Sequence, residues 1–342
     1  MTASGLLVCG TASNAGKTTI VAALCRSLAR RGVRVAPFKA QNMSLNSGVT
    51  TTGHEIARAQ LLQAEAARIP AEVAMNPILV KPGTDRSAHL VVNGVPAGEI
   101  DATDYVGDRS ALRRLAADAY RDLAARYDVI VAEGAGSAAE INLRAQDIAN
   151  LGLAQAVDIP VVVVTDIDRG GAFASLIGTL ECLGPRDRAR VVGFVINRFR
   201  GDASVLQPGI DELTRRTGRP TFGVLPYDAE LRLDAEDSLS TDWSPRTQPP
   251  IGADVLRVAV VRFPRASNLT DLEPLAAEPG VVLTFADVPQ QLTDADLVVL
   301  PGTRTTVADL DWLRKSGFGS VLQDRGARGL PVLGICGGYQ ML

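Results

Sequence analysis

The stretch Gly10-Thr11-Ala12-Ser13-Asn14-Ala15-Gly16-Lys17-Thr18-Thr19 constrains this chain more than any other. It follows the apolar run Leu6-Leu7-Val8-Cys9 and precedes a helical pattern, Ile20-Val21-Ala22-Ala23-Leu24-Cys25. Strand, glycine-containing loop, helix is the order that a phosphate-binding loop needs. Gly16 lets the backbone approach phosphates, and successive N–H groups and the positive helix N-terminus then face the anion. On this reading Gly10, Thr11, Asn14, Ala15, Gly16, Lys17, Thr18 and Thr19 line a nucleotide site. Lys17 reaches the β- and γ-phosphates, and the Thr18 hydroxyl ligates Mg²⁺. The spacing departs from the usual G-x-x-x-x-G-K-[ST]. Thr11 holds the position of the first glycine, and Gly10 lies one residue earlier. The bland alternative, a strand-to-helix turn with a surface lysine, explains neither the context nor the Lys17-Thr18 pair.

The rest of the chain repeats the alternation that this loop begins. Strand patterns at 33–38, 128–132, 160–164, 191–196 and 221–225 alternate with helical patterns near 103–126, 147–156, 171–183 and 204–217. Residues 40–52 read as a polar loop and 53–68 as a helix, while 70–102 hold short β-like runs that include Leu90-Val91-Val92. The β-branched run Val161-Val162-Val163-Val164 marks a strand buried on both faces. The pattern predicts an α/β fold with a doubly wound, mostly parallel sheet. Residues 234–254 lose periodicity and read as a linker. Beyond them a second α/β pattern begins, with strands at 256–261, 281–285, 297–300 and 331–335 and helices near 268–277 and 304–315. The expected division is a P-loop ATP-binding domain over 1–233, the linker over 234–254, and a second, incomplete α/β domain over 255–342. That second domain is expected to be cut off within the helix after Cys336.

Composition narrows the classes. A net charge of -3 over 342 residues argues against nucleic acid as the main partner. No apolar run reaches the roughly 18 residues of a membrane span. The N-terminus lacks the charged region and cleavage site of a signal peptide. Cys9, Cys25, Cys182 and Cys336 show no C-x-x-C spacing, so neither a zinc site nor a disulfide framework is expected. A reducing cytoplasm is the simplest compartment.

Further candidates stand where strands end, the usual ligand position in open α/β sheets. Glu133 opens Glu133-Gly134-Ala135-Gly136-Ser137 and could ligate Mg²⁺; a tight turn is the alternative. Lys39 could bring a second positive charge to a transferring phosphoryl group. Asp147 reads equally as a site residue and as a helix-start charge. Asp166, Asp168 and Arg169 could bind metal or an anionic substrate, or merely cap a helix. Asn197 could meet a purine edge or end its strand. Gly334-Ile335-Cys336-Gly337-Gly338 has the form of a nucleophile elbow with cysteine in place of serine. A helix start there lowers a thiol pKa. The Gly337 N–H and the Pro301-Gly302-Thr303-Arg304 turn, with Gly302, could form an oxyanion hole. Such a cysteine needs a general base, normally histidine. The two histidines, His54 and His89, lie in polar stretches of the first domain. The base is therefore expected beyond Leu342, and the glutaminase half of this chain is expected to be impaired.

Together these stretches resemble the cobyric acid synthase family, which joins a dethiobiotin-synthetase-like ATP-binding domain to a class I glutamine amidotransferase domain. The longer-spaced P-loop from Gly10 to Thr18 is similar to that group. The stretch from Ala36 to Ser47, with Lys39-Ala40-Gln41-Asn42-Met43, is the most diagnostic. Glu140-Ile141-Asn142-Leu143, Asp166-Ile167-Asp168-Arg169-Gly170-Gly171, Asn197-Arg198-Phe199-Arg200-Gly201-Asp202, Leu300-Pro301-Gly302-Thr303 and the Cys336 elbow also match. The resemblance implies ATP- and Mg²⁺-dependent amidation of the b, d, e and g carboxylates of adenosylcobyrinic acid a,c-diamide. The route it implies runs through acyl phosphates, with ammonia drawn from glutamine. It implies Lys17 and Lys39 at the transferring phosphoryl group and Thr18 and Glu133, with Glu55 as a further candidate, at Mg²⁺. It implies Asn197 at adenine, and Asp147, Gln41, Asn42, Asp166, Asp168 and Arg169 towards the corrinoid. Cys336 would form the glutamyl thioester. Three alternatives remain: a binding or structural remnant without activity, amidation of another carboxylate, as in cobyrinate a,c-diamide synthases, and a P-loop partitioning or regulatory ATPase. Residues 11–15 lack the extra lysine usual in the latter.

Overall fold

The computed structural model describes residues 3–82, 87–101, 109–228, 231 and 255–342. The expected linker at 234–254, the first residues of the helix expected from 103, and the end of the first domain at 232–233 lie outside the described residues. The chain divides into two compact units, residues 1–43 with 48–233 and residues 234–342 with 44–47.

Among the described residues, sixteen strands follow in chain order. Those of the first unit are β1 (Ser4–Gly10), β2 (Val35–Phe38), β3 (Gln41–Met43), β4 (Ser47–Val49), β5 (Glu55–Ala57), β6 (Ile78–Pro82), β7 (Ser87–Val92), β8 (Val95–Asp101), β9 (Val129–Glu133), β10 (Val161–Asp166), β11 (Val191–Phe199) and β12 (Thr221–Pro226). Six of them form a parallel sheet in the order β12-β11-β10-β1-β9-β2. Its faces are covered by α1 (Lys17–Arg30), α2 (Arg58–Ala67) and the helices Ser110–Arg126, Leu151–Val157, Ala172–Cys182 and Gln207–Thr217.

The central strands are apolar throughout because both faces are covered. Along β1, Leu7 and Cys9 enter one buried cluster and Val8 the cluster on the other face. That alternation is the two-residue period of a strand, with neither face left to solvent. Every residue of Val161–Asp166 is buried.

Register then determines what gathers at the carboxyl ends. Gly10 pairs with Val164, Val8 with Glu133, and Asp166 with Asn197. The P-loop, Glu133, Asp166 and Asn197 thus leave neighbouring strands on one edge of the sheet. A smaller mixed sheet, β3-β6-β7-β8, and the pair β4-β5 complete the unit.

Two expectations are corrected here. Residues 40–52, read as a loop, contain β3 and β4, and the helix expected from 53 starts at Arg58, after β5. Gln41 and Asn42, polar residues of that stretch, are both buried and hydrogen-bonded. A buried polar group with a partner costs little, so a polar stretch can form an inner strand.

The second unit carries β13 (Leu256–Val261), β14 (Val281–Ala286), β15 (Leu297–Leu300) and β16 (Val332–Gly334) in a parallel sheet ordered β14-β13-β15-β16. Its helices are Glu273–Ala277, Thr306–Lys315, Phe318–Ala327 and the short Gly337–Gln340. Helix Phe318–Ala327 was not foreseen. Phe318 is fully buried and stacks on Trp312, which also meets Phe263 edge-on. Among the described residues no helix is long and apolar enough to cross a membrane.

Candidate active site

The first site is built at the end of β1. The loop 11–16 joins β1 to α1, and Gly16, at φ 97°, caps the helix. This left-handed conformation favours glycine. A Cβ on Gly16 would stand 2.0 Å from the Asn197 amide nitrogen, so the position excludes any larger residue. Asn197 donates that amide to the Ala15 carbonyl at 3.0 Å, bracing the loop from β11. This places one of the two Asn197 amide N–H groups on the protein itself. Asn14 is also left-handed, at φ 58°. The Thr11 N–H donates to Val164, its hydroxyl to the Thr165 hydroxyl at 3.2 Å, and the Gly10 carbonyl accepts from Ala138. Thr19 lies half-buried in the first turn of α1.

Lys17 is buried and spans two loops, donating to the Ala12 carbonyl at 3.1 Å and the Gly136 carbonyl at 3.0 Å. Thr18 donates its hydroxyl to Glu133 Oε1 at 2.9 Å. Lys39 forms an ion pair with the same oxygen at 2.8 Å, and both side chains are buried. Of four residues expected to act together, Thr18 and Lys39 meet on Glu133, and Lys17 bonds the turn that follows it at Gly136. Burial pushes the Cys25 thiol up to about 12, with the Glu133 charge adding to the effect. The Cys9 thiol is raised more strongly, first by burial and then by Asp147, with Lys17 opposing.

Reasoning from sequence missed the support around Glu133. Gln63 donates to Glu133 Oε2 at 2.5 Å, and Gln60 donates to Gln63 at 3.3 Å. Gln60 accepts from Asn42 at 3.1 Å. The available signal was spacing: Gln60 and Gln63 share α2 with the buried alanines Ala59, Ala64 and Ala67, three and four residues apart. Asn150 was missed as well. Its side chain bonds both the N–H and the carbonyl of Ala135, which holds the turn after Glu133.

Several expected residues have other partners. Glu55 pairs with Lys81. Gln41 accepts from Arg109. The Asp147 carboxylate accepts from the backbone N–H groups of Ala149, Asn150 and Gly152 at 2.8–2.9 Å, which is the helix-start role. Asp166 ion-pairs with Arg198 at 2.8 Å and Arg169 at 3.5 Å, and Asp168 with Arg200 at 2.9 Å. Arg200 holds the Asp168 carboxyl below its ordinary range and lies over the Tyr227 ring.

The second site is the turn after β16. Cys336 is exposed and sits at φ 51°, ψ -114°, outside the ordinary regions for a side-chain-bearing residue. A Cβ on Gly338 would stand 2.1 Å from the Leu300 carbonyl oxygen, so the elbow can press against β15 only with glycine there. A Cβ built on Gly302 would lie 3.8 Å from the Cys336 Cβ, and Gly337 lies against Thr303. Cys336, Gly337 and Gly302 are thus brought together. Thr303 bonds to buried Asp309, whose carboxyl is raised mainly by burial.

The oxygens of Thr18 and Glu133 are hard donors of the kind Mg²⁺ takes. No cluster of three or more His, Cys, Asp or Glu suited to a metal occurs among the described residues. A cation there would share its shell with phosphate and water, as Mg²⁺ characteristically does.

Residues 6–240 match the CobQ/CobB/MinD/ParA nucleotide binding domain family, and residues 257–342 the CobB/CobQ-like glutamine amidotransferase domain family. The chain is similar to the cobyric acid synthase of Rhodococcus jostii (strain RHA1), at 57% identity over 340 residues, covering 98% of this chain and 66% of the relative. The cobyric acid synthase of Nocardia farcinica (strain IFM 10152) is 57% identical over 340 residues, at 98% and 65% coverage. That of Mycobacterium sp. (strain KMS) is 55% identical over 345 residues, at 100% and 70%. The chain thus spans 65–70% of the length of these curated relatives.

Proposed function

We propose a function from one premise: the chain belongs to the cobyric acid synthase family. Its reaction is the ATP-dependent amidation of the b, d, e and g carboxylates of adenosylcobyrinic acid a,c-diamide, with ammonia from glutamine. Residues 1–233 form the ATP-binding amide-ligase part, 234–254 the linker and 255–342 the glutaminase part.

The observation that carries this reading is the meeting of Thr18 and Lys39 on Glu133, with Lys17 on the Gly136 carbonyl of the turn that follows Glu133. A substrate carboxylate is a poor electrophile. Attack of its oxygen on the γ-phosphorus of ATP forms an acyl phosphate and releases ADP. Ammonia then adds to the acyl carbon, phosphate departs, and a proton is lost from nitrogen to leave the amide. Lys17 and Lys39 offset the negative charge that spreads over the transferring group. The P-loop N–H groups hold the phosphates without a change of protonation. Thr18 and Glu133 would hold Mg²⁺, which screens the phosphate oxygens when bound.

Asp147 acts in this scheme by position. It caps the segment that carries Asn150, and Asn150 braces the turn after Glu133. Asn197 has its amide on the P-loop, which leaves its carbonyl oxygen to accept from the exocyclic amine of adenine. Asp166, Asp168 and Arg169 remain candidates for the corrinoid side, with Gln41 and Asn42. Cys336 attacks the glutamine amide carbon to form a thioester and release ammonia, with the Gly302 and Gly337 N–H groups on the oxyanion. Residues 255–342 contain no histidine, so the base for that step comes from outside them.

The test supplies ammonium directly. The chain is incubated with ATP, Mg²⁺, an ammonium salt and the corrinoid diamide, while ADP and stepwise amide formation are followed by mass spectrometry. Corrinoid-dependent ADP release with amide formation is expected. ATP hydrolysis indifferent to the corrinoid would favour a regulatory ATPase and overturn the ligase reading.

A further inference from the structure

Glu133 is held by more than its ion pair. Its Oε1 accepts from Thr18 and Lys39, while its Oε2 accepts from Gln63 at 2.5 Å. Behind Gln63 stands Gln60, and behind Gln60 stands Asn42. Gln60 and Gln63 are fully buried, and Asn42 is nearly so. Three primary amides therefore run in line through the interior and end on a carboxylate.

The direction of this line is forced by chemistry. An ionised carboxylate only accepts hydrogen bonds, so Gln63 must turn its NH₂ to Glu133. Its carbonyl oxygen then faces Gln60, which must donate, and the Gln60 oxygen in turn accepts from Asn42. Each amide dipole points its positive end at Glu133, and bonds in such a chain polarise one another. A lysine or arginine in place of Gln63 would add a second cation and compete with a divalent ion. A glutamate there would repel Glu133. The amide supplies a donor without supplying charge.

We infer that Gln63 is a positioning residue for the cation site, and that the Asn42-Gln60-Gln63 line fixes the plane of the Glu133 carboxylate so that one oxygen stays toward Thr18. The inference rests on the nucleotide and Mg²⁺ reading above. Partial rotation of the carboxylate about its last torsion would swing its oxygens off Thr18 and Lys39. The Gln63 bond opposes that rotation and leaves Oε1 beside the Thr18 hydroxyl. Second partners of this kind orient ligands at metal sites generally. Asn42 also lies in the stretch from Ala36 to Ser47, so the line links that stretch to the cation site.

The test uses the full chain and a non-hydrolysable ATP analogue, titrated by calorimetry at a series of Mg²⁺ concentrations and in excess chelator. Gln63→Met keeps the volume and removes the amide. Its half-saturating Mg²⁺ concentration is expected to rise about 10- to 100-fold, with analogue binding in chelator unchanged. Gln60→Met, one link back, is expected to give a smaller rise in the same direction. If folded Gln63→Met keeps the parent's Mg²⁺ dependence, or loses binding equally with and without Mg²⁺, the inference is overturned while the nucleotide reading stands. Should Gln63→Met fail to fold, Gln60→Met decides alone, and an unchanged Mg²⁺ dependence overturns the inference. A parent chain that binds no nucleotide overturns both.

Discussion

Lys39 and Glu133 form an ion pair with side chains 3% and 0% exposed. Neither is exposed to water, so loss of one leaves the other's charge buried. Breaking such a pair from one side leaves an uncompensated charge and costs about 3–5 kcal/mol. Lys39→Met should therefore lower the urea-unfolding free energy by about that amount and reduce phosphoryl transfer at least ~100-fold. Adding Glu133→Gln should recover most of the stability and none of the activity. Recovery of both would mean that the pair is structural only. The two partners were legible in sequence because each follows an apolar strand, where open sheets bind ligands. Gln63 was less legible. A glutamine on a helix ordinarily faces water, and only the packing of α2 turns this one inward.

At the scale of the element, the turn from β16 into Gly337–Gln340 stores strain. Cys336 sits at φ 51° and ψ -114°. Residues held outside the populated regions cost about 1–3 kcal/mol. Glycine would remove that strain and cost about 0.5–1 kcal/mol through the freer unfolded chain. Cys336→Gly is accordingly expected to stabilise the second unit by about 1 kcal/mol net, read by urea unfolding, while abolishing thiol chemistry there. A destabilised variant would remove the strained elbow from consideration. The elbow could be read directly from Gly334-Ile335-Cys336-Gly337-Gly338, because a tight turn places its demands on consecutive residues. The strand β3 could not, since its partner β6 lies elsewhere in the chain.

Across the whole molecule, the cysteines divide by burial. Cys9 and Cys25 are buried, and Cys182 and Cys336 are exposed. A thiol reagent should label Cys182 and Cys336 promptly and the other two only on unfolding. The buried pair also predicts alkaline instability. Cys25 rises from an ordinary 9.0 to about 12 on folding. Below pH 9 both states hold the proton. Between 9 and about 12 the unfolded thiol loses it while the folded one keeps it, so stability falls as pH rises. The slope from one such group is at most about 1.4 kcal/mol per pH unit. Tyr120, also raised to about 12 by burial, adds to the fall in the same direction. Urea midpoints measured from pH 8 to 11 (a range within reach of ordinary buffers) should decline, and less steeply in Cys25→Ala. An equal decline in that variant would contradict the assignment to Cys25.

The P-loop at Gly10 to Thr18, the alternation of strands and helices, and the cysteine elbow were all readable in the linear chain. Each depends on neighbours a few residues apart, through strand period, helix period and turn sterics. The assembly around the P-loop was decided by tertiary contacts. Strand register set Glu133 beside Val8, β11 delivered Asn197 to the Ala15 carbonyl, and α2 turned Gln60 and Gln63 toward Glu133. The same contacts assigned Asp147 to backbone N–H groups and Glu55 to Lys81. Polar side chains find partners at short range in space whatever their distance along the chain, so their roles follow from packing rather than spacing.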